Sequence, residues 1–407
     1  MTNRLISFFN KYSLFSPTQF GFLKNRSTQD AILDLTETIY DSLNCKRHHI
    51  SILIDFKKAF DTVNHDILLK ELRLAGIRGH GLDWIRSYLK DRKNYVAIDN
   101  IKSDTHITNI GIPQGSVLGP ILFLIYINDL PDVSDTLHTT LFADDTTVST
   151  SKSDLDNLTT TINYELTRVE KWTTANRLTI NTSKTELLLF SNSKRHDDFT
   201  DDIVLGGEVL GAAGACRFLG VILDNRLTFQ KHIQTIVTKI SRTTGIIYKI
   251  RNLLPLHAKL NFYYSFIYPY LSFNILAWGS TGQCHIQPLV IQQKKIVRIL
   301  TNSKFRDHTG PLFSQLRLLK LEDIYKFQLL IHTRQKILTG NYRCTHNVNT
   351  RSRELAVPTF QRLSKTQNSI SFRGPHLWNQ LPVELRNIKS LSLFKSKLKN
   401  HIIDSYV

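Results

Sequence analysis

The tetrapeptide Phe142-Ala143-Asp144-Asp145 lies between two runs of β-prone residues, 139–142 and 146–149. This pattern predicts a β-hairpin with two neighbouring carboxylates at its tip. Adjacent carboxylates repel each other, so a divalent cation bound at the turn would stabilise the pair. Asp is also common in ordinary turns, because its side chain hydrogen-bonds nearby backbone N–H groups. The pair alone therefore leaves a metal site and a simple turn both open.

A second candidate strand also ends in an acid. Residues 50–54 form a nearly continuous apolar run, as expected for a buried strand, and Asp55 follows directly. A helix is predicted from Lys57 to Leu74. If the strand and the hairpin share one antiparallel sheet, Asp55, Asp144 and Asp145 converge at one edge. Mg²⁺ binds few protein carboxylates and keeps positions for phosphate oxygens, so such an edge suits phosphoryl or nucleotidyl transfer.

The other patterns along the chain indicate an α+β protein. A Gly- and Pro-rich loop at 111–120 precedes an apolar helix. The helices and strands predicted from apolar spacing are helices at 30–43, 121–130, 155–176, 229–299, 321–338 and 392–403, and strands at 178–180, 187–190 and 217–223.

The net charge of the whole chain is +18, and the basic residues are concentrated in its second half. Residues 1–225 hold 24 Lys and Arg against 28 Asp and Glu, whereas residues 226–407 hold 28 against 6. The first part is therefore near neutral, and the excess positive charge of the second part favours a polyanion, most simply a nucleic acid.

Membrane and secreted classes are disfavoured. The stretch 260–293 has no Asp, Glu, Lys or Arg, but polar residues interrupt it, so we expect buried helices rather than a membrane span. The N-terminus lacks the pattern of a secretion signal. The four cysteines form no Cys-x-x-Cys pair, which favours a reducing, intracellular compartment.

Six motifs carry a resemblance to a known family. They keep its order and spacing from about residue 14 to 230, and they read Gln19-Phe-Gly-Phe…Arg26-Ser-Thr28, Asp55-Phe-x-x-Ala-Phe-Asp61-x-Val-x-His65, Gly111-Ile-Pro-Gln-Gly-Ser-Val-Leu-Gly-Pro120, Phe142-Ala-Asp-Asp145, Trp172…Asn176-x-Leu-x-Ile-Asn181-x-x-Lys184-Thr185 and Phe218-Leu-Gly-Val-Ile-Leu-Asp224. The chain closely resembles the reverse transcriptases of non-LTR (LINE-type, Jockey-like) retrotransposons. Ala277-Trp278-Gly279 and Arg373-Gly-Pro-x-Leu-Trp378-Asn-x-Leu-Pro382 are similar to the C-terminal regions of these elements.

The resemblance implies a right-hand fold and an activity. Partial fingers would occupy 1–49, an antiparallel-sheet palm 50–225, a helical thumb 226–305 and a basic C-terminal helical region 306–407. The implied enzyme is an RNA-directed DNA polymerase that extends a DNA primer on an RNA template from dNTPs. It would use two Mg²⁺ ions, with Mn²⁺ as a substitute, in a nuclear or cytoplasmic ribonucleoprotein. The oligomeric state stays open.

The resemblance also implies site residues. The metal ligands would be Asp55, Asp144 and Asp145, and Lys184 would be the general acid toward pyrophosphate. Nucleotide contacts would come from Phe56, Phe60, Gln114 and Gly115, with Phe60 excluding a 2′-hydroxyl. The primer grip would be Phe218, Leu219 and Gly220. Spacing alone allows other interpretations: Phe60 fits a core face of a helix equally well, and a lone Lys184 fits a solvated charge.

Two further expectations concern the chain as a whole. Only 18 residues precede the Gln-Phe-Gly-Phe motif, and none matches the family's basic fingers hairpin, so we expect an N-terminally truncated reading frame with weak or absent polymerisation. A non-catalytic RNA-binding relic is one alternative, since it would keep the basic second half. A group II intron maturase is another, because its reverse transcriptase shares these motifs.

Overall fold

The computed structural model describes residues 1–192, 202–340 and 355–406. Within these residues the helices are α1 (Thr2–Lys11), α2 (Thr28–Asn44), α3 (Ala59–Thr62), α4 (His65–Leu74), α5 (His80–Leu89), α6 (Gly119–Tyr126), α7 (Leu155–Ala175), α8 (Gln230–Ile250), α9 (Leu256–Phe266), α10 (Tyr268–Ser272), α11 (Ile275–Trp278), α12 (Gln283–Leu300), α13 (Thr309–Gln315), α14 (Leu321–Leu338), α15 (Ile370–Asn379), α16 (Val383–Arg386) and α17 (Leu391–Asp404). The strands are β1 (His48–Ile54), β2 (Arg92–Asn94), β3 (Ala97–Ile98), β4 (Ile101–Lys102), β5 (His106–Thr108), β6 (His138–Phe142), β7 (Asp145–Lys152), β8 (Glu186–Phe190), β9 (Ile203–Leu205), β10 (Glu208–Leu210), β11 (Ala215–Phe218) and β12 (Val221–Asp224).

The chain divides into two compact units. The first holds Met1–Leu35 and Lys46–Cys216, and the second holds Thr36–Cys45 and Arg217–Val407. The first unit combines helices with antiparallel strands, and the second is mainly helical. The predicted α+β class is therefore confirmed. The division into fingers, palm, thumb and C-terminal region stays a prediction.

A four-stranded antiparallel sheet organises the first unit, in the order β6-β7-β1-β8. Strand β1 is buried along most of its length and pairs on both sides, with β7 and with β8. Its last pair with β7 joins Ile54 to Thr146, next to the turn between β6 and β7. The predicted strand and the predicted hairpin thus lie in one sheet.

Irregular segments pair with one residue on each outer strand of this sheet. Along β6, the N–H of Phe20 donates to the carbonyl of Leu141 at 2.7 Å, and the N–H of Leu141 donates to Thr18 at 2.9 Å. Along β8, the N–H of Ala213 donates to the carbonyl of Leu187 at 2.7 Å. The outer strands therefore find backbone partners beyond the sheet itself.

Helices α6 and α7 supply much of the core beside the sheet. Helix α6 is buried on almost all sides, as its uninterrupted apolar sequence predicts. Helix α7 buries one face, with Leu158, Ile162, Leu166 and Val169 at helical spacing. The Asp154 side chain caps α7 by accepting from the N–H of Asn157 at 3.1 Å.

The prediction of a single helix from Lys57 to Leu74 is wrong, because the segment forms two helices, α3 and α4, separated by Val63 and Asn64. Two carbonyls in this segment accept hydrogen bonds from a loop and not from the helix itself. The Phe60 carbonyl accepts from the N–H of Ile112 at 2.8 Å, and the Val63 carbonyl accepts from the N–H of Gly111 at 2.7 Å. Asn64 then starts α4 by accepting from the N–H of Ile67 at 3.1 Å. Hydrogen bonds from a loop far along the chain therefore interrupt the helix that the apolar periodicity predicts.

In the second unit, the uncharged stretch 260–293 forms short helices and the start of α12. Trp278 and Trp378 are buried, as expected for packing residues. Across the described ranges, no helix combines the length and apolar character needed to cross a membrane.

Candidate active site

The sheet brings together the three aspartates that the sequence predicts at one edge. Asp55 follows β1 directly, one step beyond the Ile54–Thr146 pair, which sets it beside Asp145 on the neighbouring strand. Phe142 and Asp145 form the last pair of the hairpin, so Ala143 and Asp144 make a two-residue turn. The antiparallel register therefore creates the cluster.

The Gln-Phe-Gly segment supports this turn. The Oε1 atom of Gln19 accepts from the N–H of Ala143 at 3.1 Å and from the N–H of Gly21 at 2.8 Å. A Cβ atom on Gly21 would lie 2.5 Å from the nitrogen of Ala143, so only glycine allows this approach. Ala143 itself has φ +55°, a conformation that costs a non-glycine residue about 1 kcal/mol or more. The motif thus holds the turn in a strained shape.

The three carboxylates repel one another. Burial raises the pKa of Asp144, and the Asp55 charge raises it further. Burial, followed by the charges of Asp144 and Asp55, raises the pKa of Asp145 to about 6. Asp145 is the more exposed of the two, so solvent screens its interactions more, but the direction is the same. In the part of the chain that the structure describes, no Lys, Arg or His forms an ion pair with these carboxylates.

The donor set suits a hard divalent cation. Carboxylate oxygens are preferred ligands of Mg²⁺, and bound cations would offset the repulsion. Over the described ranges, however, no three His, Cys, Asp or Glu side chains are arranged to hold a metal ion. The fit therefore rests on the ligand type and the unbalanced charge, not on a preformed coordination cluster.

Asn181 orients Asp55, a role that the sequence reasoning did not assign. Its Nδ2 atom donates to Oδ2 of Asp55 at 2.8 Å, and its N–H donates to the Asp55 carbonyl at 2.7 Å. Phe56 and Ile180 form the adjoining antiparallel bridge, so 178–180 pairs only locally. The available signal was the position of Asn181 at the end of an apolar run, within the motif that contains Lys184.

The loop that carries Gln114 is fastened to the segment after Asp55. The Nε2 atom of Gln114 donates to Oδ1 of Asp61 at 2.9 Å. Gly111 has φ +74°, and a Cβ there would lie 2.5 Å from the Asp61 carbonyl oxygen. Nε2 of His65 hydrogen-bonds the Gly111 carbonyl at 2.8 Å. Asp61 and His65 thus position the loop, while Gln114 stays exposed.

The other predicted nucleotide contacts occupy different environments. Phe56 is buried, with 5% of its surface exposed. Phe60 is half-buried, and its ring stacks on Phe123 with 4.5 Å between centroids. Gly115 has φ +77° and faces open space. Lys184 is exposed in a short helical turn, Thr182–Lys184. Their catalytic roles stay predictions.

The predicted primer-grip residues form a hairpin turn. Phe218 is buried at the end of β11. Leu219 and Gly220 follow with φ of +45° and +86°, and β12 begins at Val221. A Cβ on Gly220 would lie 3.1 Å from the Phe273 ring, so this turn packs closely within the second unit.

Comparisons with known proteins agree with this picture. The family model described as reverse transcriptase (RNA-dependent DNA polymerase) matches residues 1–223. The chain is 28% identical over 334 residues to the RNA-directed DNA polymerase from mobile element jockey of Drosophila melanogaster, covering 79% of this chain and 36% of that protein. It is also 28% identical over 341 residues to the probable RNA-directed DNA polymerase from transposon X-element of the same species, covering 81% and 37%.

Solved structures include a telomerase from Candida albicans, at 13% identity and a TM-score of 0.41, covering 78% of this chain and 56% of that one. That TM-score is too low for the likeness to support a conclusion about this chain. The chain spans little more than a third of the curated relatives it matches.

Proposed function

This chain belongs to the reverse transcriptase (RNA-dependent DNA polymerase) family, and from that premise we propose that it is the polymerase portion of a non-LTR retrotransposon protein. It would extend a DNA primer on an RNA template by adding nucleotides from dNTPs. The observation that carries the proposal is the convergence of Asp55, Asp144 and Asp145 at one sheet edge, with the pKa of both turn aspartates raised.

The chain's own residues divide the work of this site. Asp55 is held by Asn181, so its carboxylate points in one fixed direction. Asp144 and Asp145 would complete the ligand set for two Mg²⁺ ions, for which Mn²⁺ could substitute. When bound, such ions activate the primer hydroxyl and stabilise the leaving oxygen.

Residues around the aspartates would position the substrates. Phe60, supported by Phe123, would exclude a ribose 2′-hydroxyl, and Phe56 would hold that segment from within the core. Gln114 and Gly115 would border the incoming nucleotide. Lys184, which is exposed, would protonate the leaving pyrophosphate. Phe218, Leu219 and Gly220 would brace the primer, and the basic second half would bind nucleic-acid phosphates.

Primer extension tests the proposal. The full chain is incubated with oligo(dT) on poly(rA), dTTP and Mg²⁺, beside Asp144→Ala and the control Asp104→Ala, which removes an exposed acid outside the site. We expect weak extension by the wild type and by the control, and a further loss of about 100-fold or more in Asp144→Ala. Equal incorporation by all three proteins would refute the assignment of Asp144.

A further inference from the structure

A cavity of about 570 Å³ lies within the second unit. Its walls include parts of two sequence motifs that polymerisation leaves unexplained: Gly279, which ends the Ala277-Trp278-Gly279 motif, and Arg373 and His376 from the motif that runs from Arg373 to Pro382. Helix α14 adds Tyr325 and Lys326. A space of this volume is typical of pockets that hold a small organic ligand.

Tyr325 contributes a buried hydroxyl to the cavity wall. Tyr325 is 4% exposed, and among the described residues its OH makes no hydrogen bond of full geometry, although Ser280 and Arg373 lie near enough to interact with it. Its polar neighbours Ser280 and Arg373 do not offset burial, which raises the pKa of Tyr325 to about 12. A Cβ on Gly279 would lie 2.7 Å from the Tyr325 ring, so glycine at this position allows the ring to pack closely against the backbone. Buried hydroxyls normally have a partner.

One part of the lining favours an anion. Arg373 and Lys326 both border the cavity. The Nζ atom of Lys326 lies 3.3 Å from Oδ1 of Asp323, with which it forms an ion pair. Gly282 lies at the N-cap of α12, where no side chain caps the helix and the first turn has no acid. Unpaired N–H groups at such a terminus attract phosphate. Glu322 also borders the cavity, where its carboxylate accepts from Gln283 Nε2 at 3.4 Å.

Another part of the lining favours an aromatic ring. Phe372 and His376 lie with their ring centroids 4.5 Å apart, at an angle of 56°. Both rings border the same cavity. Nucleobases stack on rings of this kind whatever their sequence.

We propose that this cavity binds one unstacked nucleotide of single-stranded RNA, with its phosphate near Arg373 and the start of α12 and its base against Phe372 and His376. The Tyr325 hydroxyl and the Glu322 carboxylate complete its polar contacts. The cavity is a second RNA-binding site of the chain. It goes beyond the polymerase reaction, because it uses none of the three aspartates.

Photocrosslinking locates such a nucleotide directly. The full chain is irradiated with a single-stranded RNA of about 12 nucleotides that contains 4-thiouridine, and the crosslinked residues are mapped by mass spectrometry. We expect crosslinks at Tyr325, Phe372 or His376. Crosslinks that map only to other residues would overturn the proposal.

Two variants with matched controls test the lining. Gly282→Asp places a negative charge at the cavity, and Asp is a favourable helix N-cap, so the fold is retained; its control is Gly214→Asp, at an open glycine in the first unit. Phe372→Ala removes the stacking ring; its control is Phe305→Ala, an exposed ring elsewhere in the second unit.

We expect Gly282→Asp to abolish the cavity crosslink, and Phe372→Ala to weaken it about tenfold, the usual effect of losing a stacking ring. The two controls should crosslink like the wild type. Unchanged crosslinks in Gly282→Asp, with folding verified by circular dichroism, would refute the site. Asp144→Asn separates this inference from the proposed function, since it should lose primer extension and keep the cavity crosslink.

Discussion

At the scale of single residues, the aspartate cluster depends on a neighbour that is itself uncharged. Asn181 binds Asp55 through both its side chain and its backbone N–H. Removal of the side-chain amide would leave the backbone pairing intact and free the carboxylate to rotate. Groups that orient metal ligands in this way typically contribute about 10- to 100-fold to activity.

We therefore predict that Asn181→Ala lowers the primer-extension rate about tenfold or more while the protein stays folded. The control is Asn157→Ala, which changes an exposed amide on α7. Steady-state extension rates over a range of Mg²⁺ concentrations measure the effect. Equal rates in the two variants would mean that Asn181 does not position Asp55.

A buried histidine in β1 predicts acid sensitivity. His49 is 1% exposed and hydrogen-bonds Ser51, and burial, aided by the His138 charge, lowers its pKa from 6.5 to about 3. The unfolded chain therefore binds a proton that the folded chain does not between these two pKa values. The stability contributed by neutral His49 is present above pH 6.5 and is lost as the pH falls toward about 3, by up to about 1.4 kcal/mol per pH unit.

Urea unfolding at pH 7 and at pH 5 checks this expectation. The free energy of unfolding should fall between these pH values by about 1–2 kcal/mol less in His49→Gln than in the wild type. His80→Gln, at an exposed position, is the control and should follow the wild type. A parallel loss in all three proteins would contradict the role of His49.

At the scale of elements, Gly21 joins an N-terminal segment to the turn that holds Ala143 and Asp144. A methyl group there would meet the backbone of Ala143 at 2.5 Å. We predict that Gly21→Ala destabilises the fold by about 1–3 kcal/mol and lowers primer extension, since backbone atoms must move apart. In contrast, Gly81→Ala, in α5 with its nearest atom at 3.7 Å, should stabilise by about 0.5–1 kcal/mol.

Thermal unfolding and primer extension of the two alanine variants measure these effects. A Gly21→Ala protein with wild-type Tm and activity would show that the turn does not need the close approach.

Elements with strong periodicity could be predicted from the sequence. Helix α14 has the predicted bounds, Leu321–Leu338, and α7 ends one residue before the predicted Asn176. Helix α7 buries one apolar face, so its local apolar spacing matches its tertiary environment. Helix α14 also buries Asp323, His332, Thr333 and Arg334. The break after Thr62 could not be predicted, because it depends on hydrogen bonds from residues far along the chain.

The strands β2 to β5 were not predicted for another reason. They are two or three residues long and largely exposed, with Ile98, Ile101 and Ile107 in contact with solvent. Their side chains show no alternation between a buried and an exposed face, which is the signal that identifies a strand. At the candidate site, the motifs predicted which aspartates lie together. The hydrogen bond from Asn181 to Asp55 was not predicted, because it joins residues more than a hundred positions apart.

At the scale of the whole molecule, the asymmetry of charge predicts an affinity for RNA that depends strongly on salt. Residues 226–407 hold 28 Lys and Arg against 6 Asp and Glu. We expect the affinity for single-stranded RNA to fall about 100-fold from about 50 to about 200 mM NaCl, as for about five neutralised phosphates. Fluorescence anisotropy of a labelled oligonucleotide measures this dependence.

Two triple variants test where the phosphates bind. Lys389, Lys395 and Lys397 are exposed in the second unit, and their replacement by Gln should reduce the salt dependence. Lys90, Lys93 and Lys102 are exposed in the first unit, and the same replacement there should have a smaller effect. An equal effect of both triple variants would show that the charge asymmetry does not determine RNA binding.

The two outer strands of the four-stranded sheet bear on self-association. A bare edge strand offers unpaired N–H and C=O groups to another chain, which is a common route to aggregation. Here the Thr18–Phe20 backbone pairs with Leu141 on one side, and Ala213 pairs with Leu187 on the other. Each outer strand of the sheet that carries the aspartates thus has one residue paired beyond the sheet, and a second copy could pair at Leu141 or Leu187 only after displacing the segment that pairs there.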